Sequence, residues 1–232
     1  MAQAPASQTL SRGITILEIL AEHDALTIDQ IAERLGVHRS VAYRLLRTLE
    51  HHHLVIRDAA GRCRLGPQLT VLAAGVSRDL QATASTEVNE LAHELGLTCF
   101  FGQIDGSDFV TLVSATPRLA GATLAQRPGS RHPLTIGAPS KALLASLPDD
   151  EWPVLVEGDL LRHVLRARER GWAESHDEVI PTVTSLSVSL PPIGQTRTAL
   201  SVLSMSPLED PDAVAARLHR SGRRIARAIG TA

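Results

Sequence analysis

TIDQIAERLGVHRSVAYRLLRTLEHHHLVIRDAAGRCRL, from Thr27 to Leu65, reads as a helix, a tight turn, a second helix and a short basic hairpin. Thr27 and Gln30 stand in capping-box spacing, so each side chain can satisfy an orphan amide at a helix start. Ile28, Ile31, Ala32 and Leu35 recur at helical spacing and form one apolar stripe. Gly36 ends that helix, because a left-handed residue makes the sharp turn without a Cβ penalty. The next helix is predicted from Arg39 to about His52, with Val41, Leu45, Leu46 and Leu49 toward a core. Arg39, Ser40, Tyr43, Arg44 and Arg47 are left on the other side or its edges. Leu54 to Arg57 and Cys63 to Leu65 read as two short strands around an Asp58–Gly61 turn. This order is that of a winged helix-turn-helix, which lays its second helix in a DNA major groove.

Upstream, Ser11 is positioned to cap a first helix reaching about His23, with Ile14, Ile16, Leu17 and Leu20 near one face. The opening MAQAPASQTL has neither the charged region nor the apolar core of a signal peptide and is expected to be a frayed tail. Downstream, Gly66-Pro67 breaks the pattern. A linker helix is expected from Gln68 to about Thr83, including Leu69, Leu72, Ala73 and Val76. Helices are then predicted over 86–95, 139–147, 159–171 and 212–229. Strands are predicted over 97–104, 109–115, 186–190 and 198–205, the first two joined at Asp105–Asp108, and 116–133 reads as loop-rich. This mixture predicts a two-domain α+β chain: a winged domain over 1–66, a linker helix over 67–82, and a domain over 83–232 whose antiparallel sheet carries flanking helices.

Charge is distributed to suit that division. The chain has a formal net charge of −2, yet Gly36–Leu65 holds six arginines against Glu50 and Asp58, which is +4 locally and −6 elsewhere. A basic face on a mildly acidic protein is what a phosphate-contacting element needs. Lys141 is the single lysine. Cys63 and Cys99 fall in different predicted domains, which indicates no disulfide framework and fits a reduced cytoplasm. No apolar run approaches the ~18 residues of a membrane span, so no membrane partner is expected.

The strings SRGITILEIL, LTIDQIAERLGVHRSVAYRLLRTLE and CRLGPQL resemble the isocitrate lyase regulator (IclR) family of bacterial transcription factors. RPGSRHPLTIGAPSKALLA (Arg127–Ala145) and GWAESHDEV with TALSVLSMSP (within Gly171–Pro207) extend the resemblance along nearly the whole chain. It implies a GAF-like C-terminal effector domain, homodimers or paired dimers forming homotetramers, and repression or activation of small-molecule catabolism. The chain departs from the family pattern in places. His53 replaces a glycine after the recognition helix, Thr135 a histidine and Ser140 a glycine. Ser175 stands where some relatives place an acidic effector contact, and Ser185 where some place cysteine.

The DNA set is therefore Arg39, Ser40, Tyr43, Arg44 and Arg47, with Arg57, Arg62 and Arg64 on the wing. Arg39, Ser40 and Tyr43, near the helix start, are the base-reading candidates. Arg44 and Arg47 are phosphate anchors or partners of Glu50, and the wing arginines track backbone or minor groove. The resemblance places an effector pocket at Leu119, Leu134, Ala138, Pro139, Ser140, Ser175, Ser185 and Ser201. There the start of the Pro139 helix would favour an anion, and the scarcity of charge suits a weakly polar or aromatic carboxylate. Lys141 would pair with such a ligand or with a nearby acid. His51-His52-His53 point in different directions on a helix and cannot chelate one ion well. No nucleophile, metal or cofactor signature is found, so the expected protein is not an enzyme. A DNA-tethered enzyme and a DNA-binding protein whose second domain only oligomerises are the alternatives.

Overall fold

The computed structural model describes residues 7–73, 78–117, 126–192 and 196–230, which divide into two compact units, 1–78 and 79–232. The first unit holds α1 (Gln8–Ala21), α2 (Ile28–Leu35), α3 (Arg39–His51), β1 (Val55–Arg57), β2 (Cys63–Leu65) and α4 (Gln68–Ala73). α1 begins four residues earlier than its apolar periodicity announces. Ser7, and not Ser11, is the cap, its hydroxyl accepting from Leu10 N at 3.5 Å. α2 has the expected reciprocal box: Gln30 N donates to Thr27 Oγ1 at 3.3 Å, and Thr27 N donates to Gln30 Oε1 at 2.9 Å. Gly36 closes it at φ 66.

The three helices bury Ile16, Leu20, Ile28, Ile31, Ala32, Ala42, Leu46 and Leu49 against Val55 and Cys63. The inward face of α3 is thus centred on Ala42, not on Val41 as the spacing predicted. Val41 and Leu45 are half-buried beside a groove shared with Thr9, Arg12, Arg44 and Thr48. A small residue at 42 lets the helices approach closely. α3 ends in a Schellman arrangement, with His53 N donating to Glu50 O and Leu54 N to Leu49 O, both at 2.9 Å. The left-handed residue this requires is His53, at φ 56. β1 and β2 pair antiparallel as a three-residue wing, Ile56 opposite Arg64.

The second unit holds α5 (Arg78–Leu95), β3 (Thr98–Asp105), β4 (Asp108–Ala115), β5 (Arg131–Pro133), α6 (Ala138–Ser146), α7 (Gly158–Arg170), β6 (Ala173–His176), β7 (Thr184–Ser189), β8 (Thr198–Ser204) and α8 (Pro211–Gly230). Its six strands form one antiparallel sheet in the order β5-β4-β3-β8-β7-β6. The short strands β5 and β6 were not expected. The proposed linker helix is described as α4 and the start of α5, and Val76 lies outside the described residues.

Alternation along the central strands separates two cores. Cys99, Phe101, Leu186, Val188, Leu200 and Val202 pack with Val88 and Leu91 of α5 and Leu218 and Ile225 of α8. Phe100, Phe109, Ala199 and Leu203 face the other way, toward Leu143 of α6. Strands β7 and β8 are covered on both faces, so their apolar residues alternate with buried serines instead of exposed polar groups.

Candidate functional site

On the outer side of α3, Arg39, Ser40, Tyr43, Arg44 and Arg47 are all exposed. They occupy the helix surface that Ala42, Leu46 and Leu49 leave free. His38, a residue not singled out from sequence, caps the helix. Its Nδ1 accepts from Ser40 N at 3.3 Å and lies 2.8 Å from Ser40 Oγ, so the Ser40 hydroxyl donates to it. Arg39 Nε lies 3.1 Å from Asp29 Oδ1 of α2, in a pair whose side chains are both about two-thirds exposed. Such a pair is worth little in water and is readily exchanged for a nucleic-acid contact.

The wing arginines have different surroundings. Arg57 Nε donates to Glu50 Oε1 at 2.9 Å, and this bond raises the guanidinium pKa further above its ordinary value. Glu50 therefore reaches the wing and not Arg44 or Arg47. Arg62 Nε lies 3.0 Å from Asp58 Oδ2, while Asp58 Oδ1 accepts from the amides of Ala60 and Arg62 at 2.9 Å each. Those bonds, the Arg62 amide first, hold the Asp58 carboxyl below the usual carboxylate range. The Asp58 side chain thus organises the turn it sits in. Arg64 is exposed on β2.

In the second unit a small cavity opens between the sheet and the start of α6. Phe100, Val179, Ile180, Val183 and Leu203 give it apolar walls; Gln126, His132, Ser175 and Ser185 bring polar groups. Of the residues expected there, Ala138, Pro139, Ser175 and Ser185 line it. Ser140 is fully buried just behind, its Oγ 3.3 Å from His132 Nε2 and 3.4 Å from Pro133 O. Leu134 lies in the adjoining core. Ser201 is fully buried and accepts from Ser187 Oγ at 2.7 Å. Leu119 lies outside the described residues.

Strand register explains this division of the serines. Ser175 on β6 is directly opposite Ser185 on β7, and Ser187 on β7 is directly opposite Ser201 on β8. The first cross-strand pair borders the cavity; the second satisfies itself. Ser185 Oγ also donates to Val202 O at 3.1 Å.

The start of α6 carries internal partners. Ala138 N donates to Ser175 Oγ and Gly137 N to Glu178 Oε2, both at 2.9 Å. Lys141 Nζ forms an ion pair with Glu178 Oε1. The side chain of this lysine is only 3% exposed and that of Glu178 is 27% exposed, so the pair links a buried cation to a carboxylate with access to water. His132 is pushed down to about 4 by burial and is neutral near pH 7. Its Nε2 shares a hydrogen bond with the buried Ser140 hydroxyl at 3.3 Å. Among the described residues no group of three or more His, Cys, Asp or Glu side chains is arranged to hold a metal ion.

Sequence reasoning missed His132, Glu178 and the 179–183 wall. The Glu178 contacts to the start of α6 span tens of residues, such as the 41 between Gly137 and Glu178, and the eight between His132 and Ser140 follow no helical or strand period.

Two family models match in tandem: the IclR helix-turn-helix domain over residues 9–59, and the bacterial transcriptional regulator IclR C-terminal domain over 73–229. The HTH-type transcriptional regulator Rv1719 of Mycobacterium tuberculosis is 35% identical over 147 residues, covering 62% of this chain and 56% of the relative. The chain is 28% identical to the HTH-type transcriptional regulator XynR of Escherichia coli, covering 97% of this chain and 98% of the relative. A crystal structure of an IclR homologue from Microbacterium hydrocarbonoxydans, complexed with 4-hydroxybenzoate, superposes with a TM-score of 0.80 at 20% identity, covering 97% of this chain and 100% of the other. No helix among the described residues is long and apolar enough to cross a membrane.

Proposed function

This chain belongs to the IclR family of bacterial transcriptional regulators, and from that premise we propose a ligand-controlled regulator whose α3 reads operator bases through Arg39, Ser40 and Tyr43. Arg44, Arg47 and the wing arginines Arg57, Arg62 and Arg64 contact the phosphate backbone. The observation that carries this reading is the outer face of α3: five exposed side chains with donor groups or positive charge on a helix whose opposite face is locked into the core.

Homodimers or homotetramers in the cytoplasm present paired winged helices to a pseudo-palindromic operator. The effector is a weakly polar or aromatic carboxylate received in the cavity beside α6. The neighbour bound to 4-hydroxybenzoate, an aromatic carboxylate, supports that class. The ligand shifts DNA affinity by its differential affinity for the DNA-competent and DNA-incompetent arrangements. The protein performs no catalysis: the tandem regulator-family matches favour that reading over a DNA-tethered enzyme.

The test is binding to DNA from immediately upstream of the protein's own gene, titrated with salt and then with a panel of aromatic and aliphatic carboxylates. Selective, salt-steep binding that one carboxylate alters is the expected result. Selective binding that no metabolite alters would mean that the second domain serves only to oligomerise.

A further inference from the structure

The turn between β6 and β7 brings Val179 and Ile180 to the cavity wall, and the preceding Glu178 bonds to Gly137, another wall residue. Its ends are tied: Asp177 N donates to Val183 O at 3.1 Å, and Thr182 N donates to Asp177 Oδ1. At its centre the two carboxylate oxygens of Glu178 take Lys141 Nζ and Gly137 N. One carboxylate thus satisfies both a buried ammonium and an amide at a helix start. The adjoining cavity is small, about 30 Å³.

We propose that Glu178 is a built-in surrogate for the ligand's carboxylate: an aromatic carboxylate entering the cavity replaces it on Lys141 Nζ and Gly137 N. This rests on the reading of the cavity as the effector pocket and adds how that pocket selects an anion. The exchange keeps charge balanced, since Lys141 faces one carboxylate before and after and is never left as a buried, unpaired charge. Glu178, already partly exposed, moves into water. Val179 and Ile180 travel with it, which enlarges the cavity where the ring must fit. A neutral analogue has no claim on Lys141 and leaves Glu178 in place. Selectivity then follows from a competition within the protein, and the ligand's apparent affinity is reduced by the fraction of time the surrogate is seated.

The experiment is calorimetric titration of the full chain with benzoate and with benzamide, for wild type, Glu178→Ala and Glu178→Gln. A surrogate seated at least roughly nine-tenths of the time predicts that benzoate binds Glu178→Ala about tenfold or more tightly than wild type. Benzamide, with no carboxylate to offer Lys141, gains less than benzoate does. Glu178→Gln, which keeps an acceptor for Gly137 N, carries the comparison where thermal melts show the alanine variant unfolded. Benzoate affinity that is equal or weaker in the folded variants overturns the proposal while leaving the pocket intact. Failure of both probes to bind any folded form overturns the pocket reading itself, and the proposal with it.

Discussion

Glu50 in the last turn of α3 and Arg57 on the first strand of the wing are joined at 2.8 to 2.9 Å, with 21% and 30% of their side chains exposed. The pair fastens the helix proposed to enter the major groove to the hairpin proposed to flank it. It also sets an internal anion in competition with phosphate for one wing cation.

Glu50→Gln therefore releases Arg57. The expected stability loss is small, about 1 kcal/mol or less for a partly exposed pair. The slope of log affinity against log salt should steepen, by up to about 1, as Arg57 neutralises its phosphate more fully. Fluorescence anisotropy on operator DNA between low and moderate salt reads this; an unchanged slope would place Arg57 away from the phosphates.

Arg39 and Arg47 should separate by kind of contact. Arg39→Ala is expected to cost about 1–3 kcal/mol on operator DNA and to relax preference at one base position. Arg47→Ala should weaken all sequences alike and flatten the salt slope by about 1. Competition with single-base operator variants decides between them, and a uniform loss for Arg39→Ala would make it a phosphate contact.

His53 and Gly66 make predictions of opposite sign. His53 sits at φ 56, where a side chain is disfavoured and glycine is not. His53→Gly should stabilise the first unit by about 0.5–1 kcal/mol. At Gly66 an added Cβ would lie 2.1 Å from His53 O, so Gly66→Ala should destabilise by about 1–3 kcal/mol. Amide exchange of the α3 core, which reads this unit by itself, measures both.

His132 ties the stability of the second unit to pH. Its folded pKa of about 4 lies below the ordinary 6.5, so between those values the unfolded chain binds the extra proton. Its effect is nil above pH 6.5; stability falls as pH drops toward 4, by at most about 3 kcal/mol. His219, also lowered by burial, acts in the same direction. Urea unfolding followed by Trp152 and Trp172, both in this unit, should show a shallower acid limb in His132→Gln. Parallel acid limbs would remove His132 as a cause.

Local chemistry made the first unit legible. The Thr27–Gln30 box, the Gly36 turn and the spacing of Ile31, Ala32, Leu46 and Leu49 are short-range signals with short-range causes. Where the first helix begins was not legible, because its exposed opening turn has no apolar stripe and the cap at Ser7 leaves only one amide contact. Strands β5 and β6 were missed for a related reason. RHP and AESH are short, edge-lying and poor in β-branched residues, and only their neighbours make them strands. At the cavity, Ser175 and Ser185 were named from sequence, but the acid that holds the α6 start, Glu178, comes from a distant turn.

With a single lysine in 232 residues, selective isotope labelling of that amino acid marks one position in the entire protein. Lys141 lies in the opening turn of α6, its amide donating to Gly137 O at 3.2 Å and its ammonium paired with Glu178. One resonance, free of overlap, thereby reports on the Lys141–Glu178 pair. The sparing use of lysine gives the molecule a native spectroscopic beacon at the start of α6.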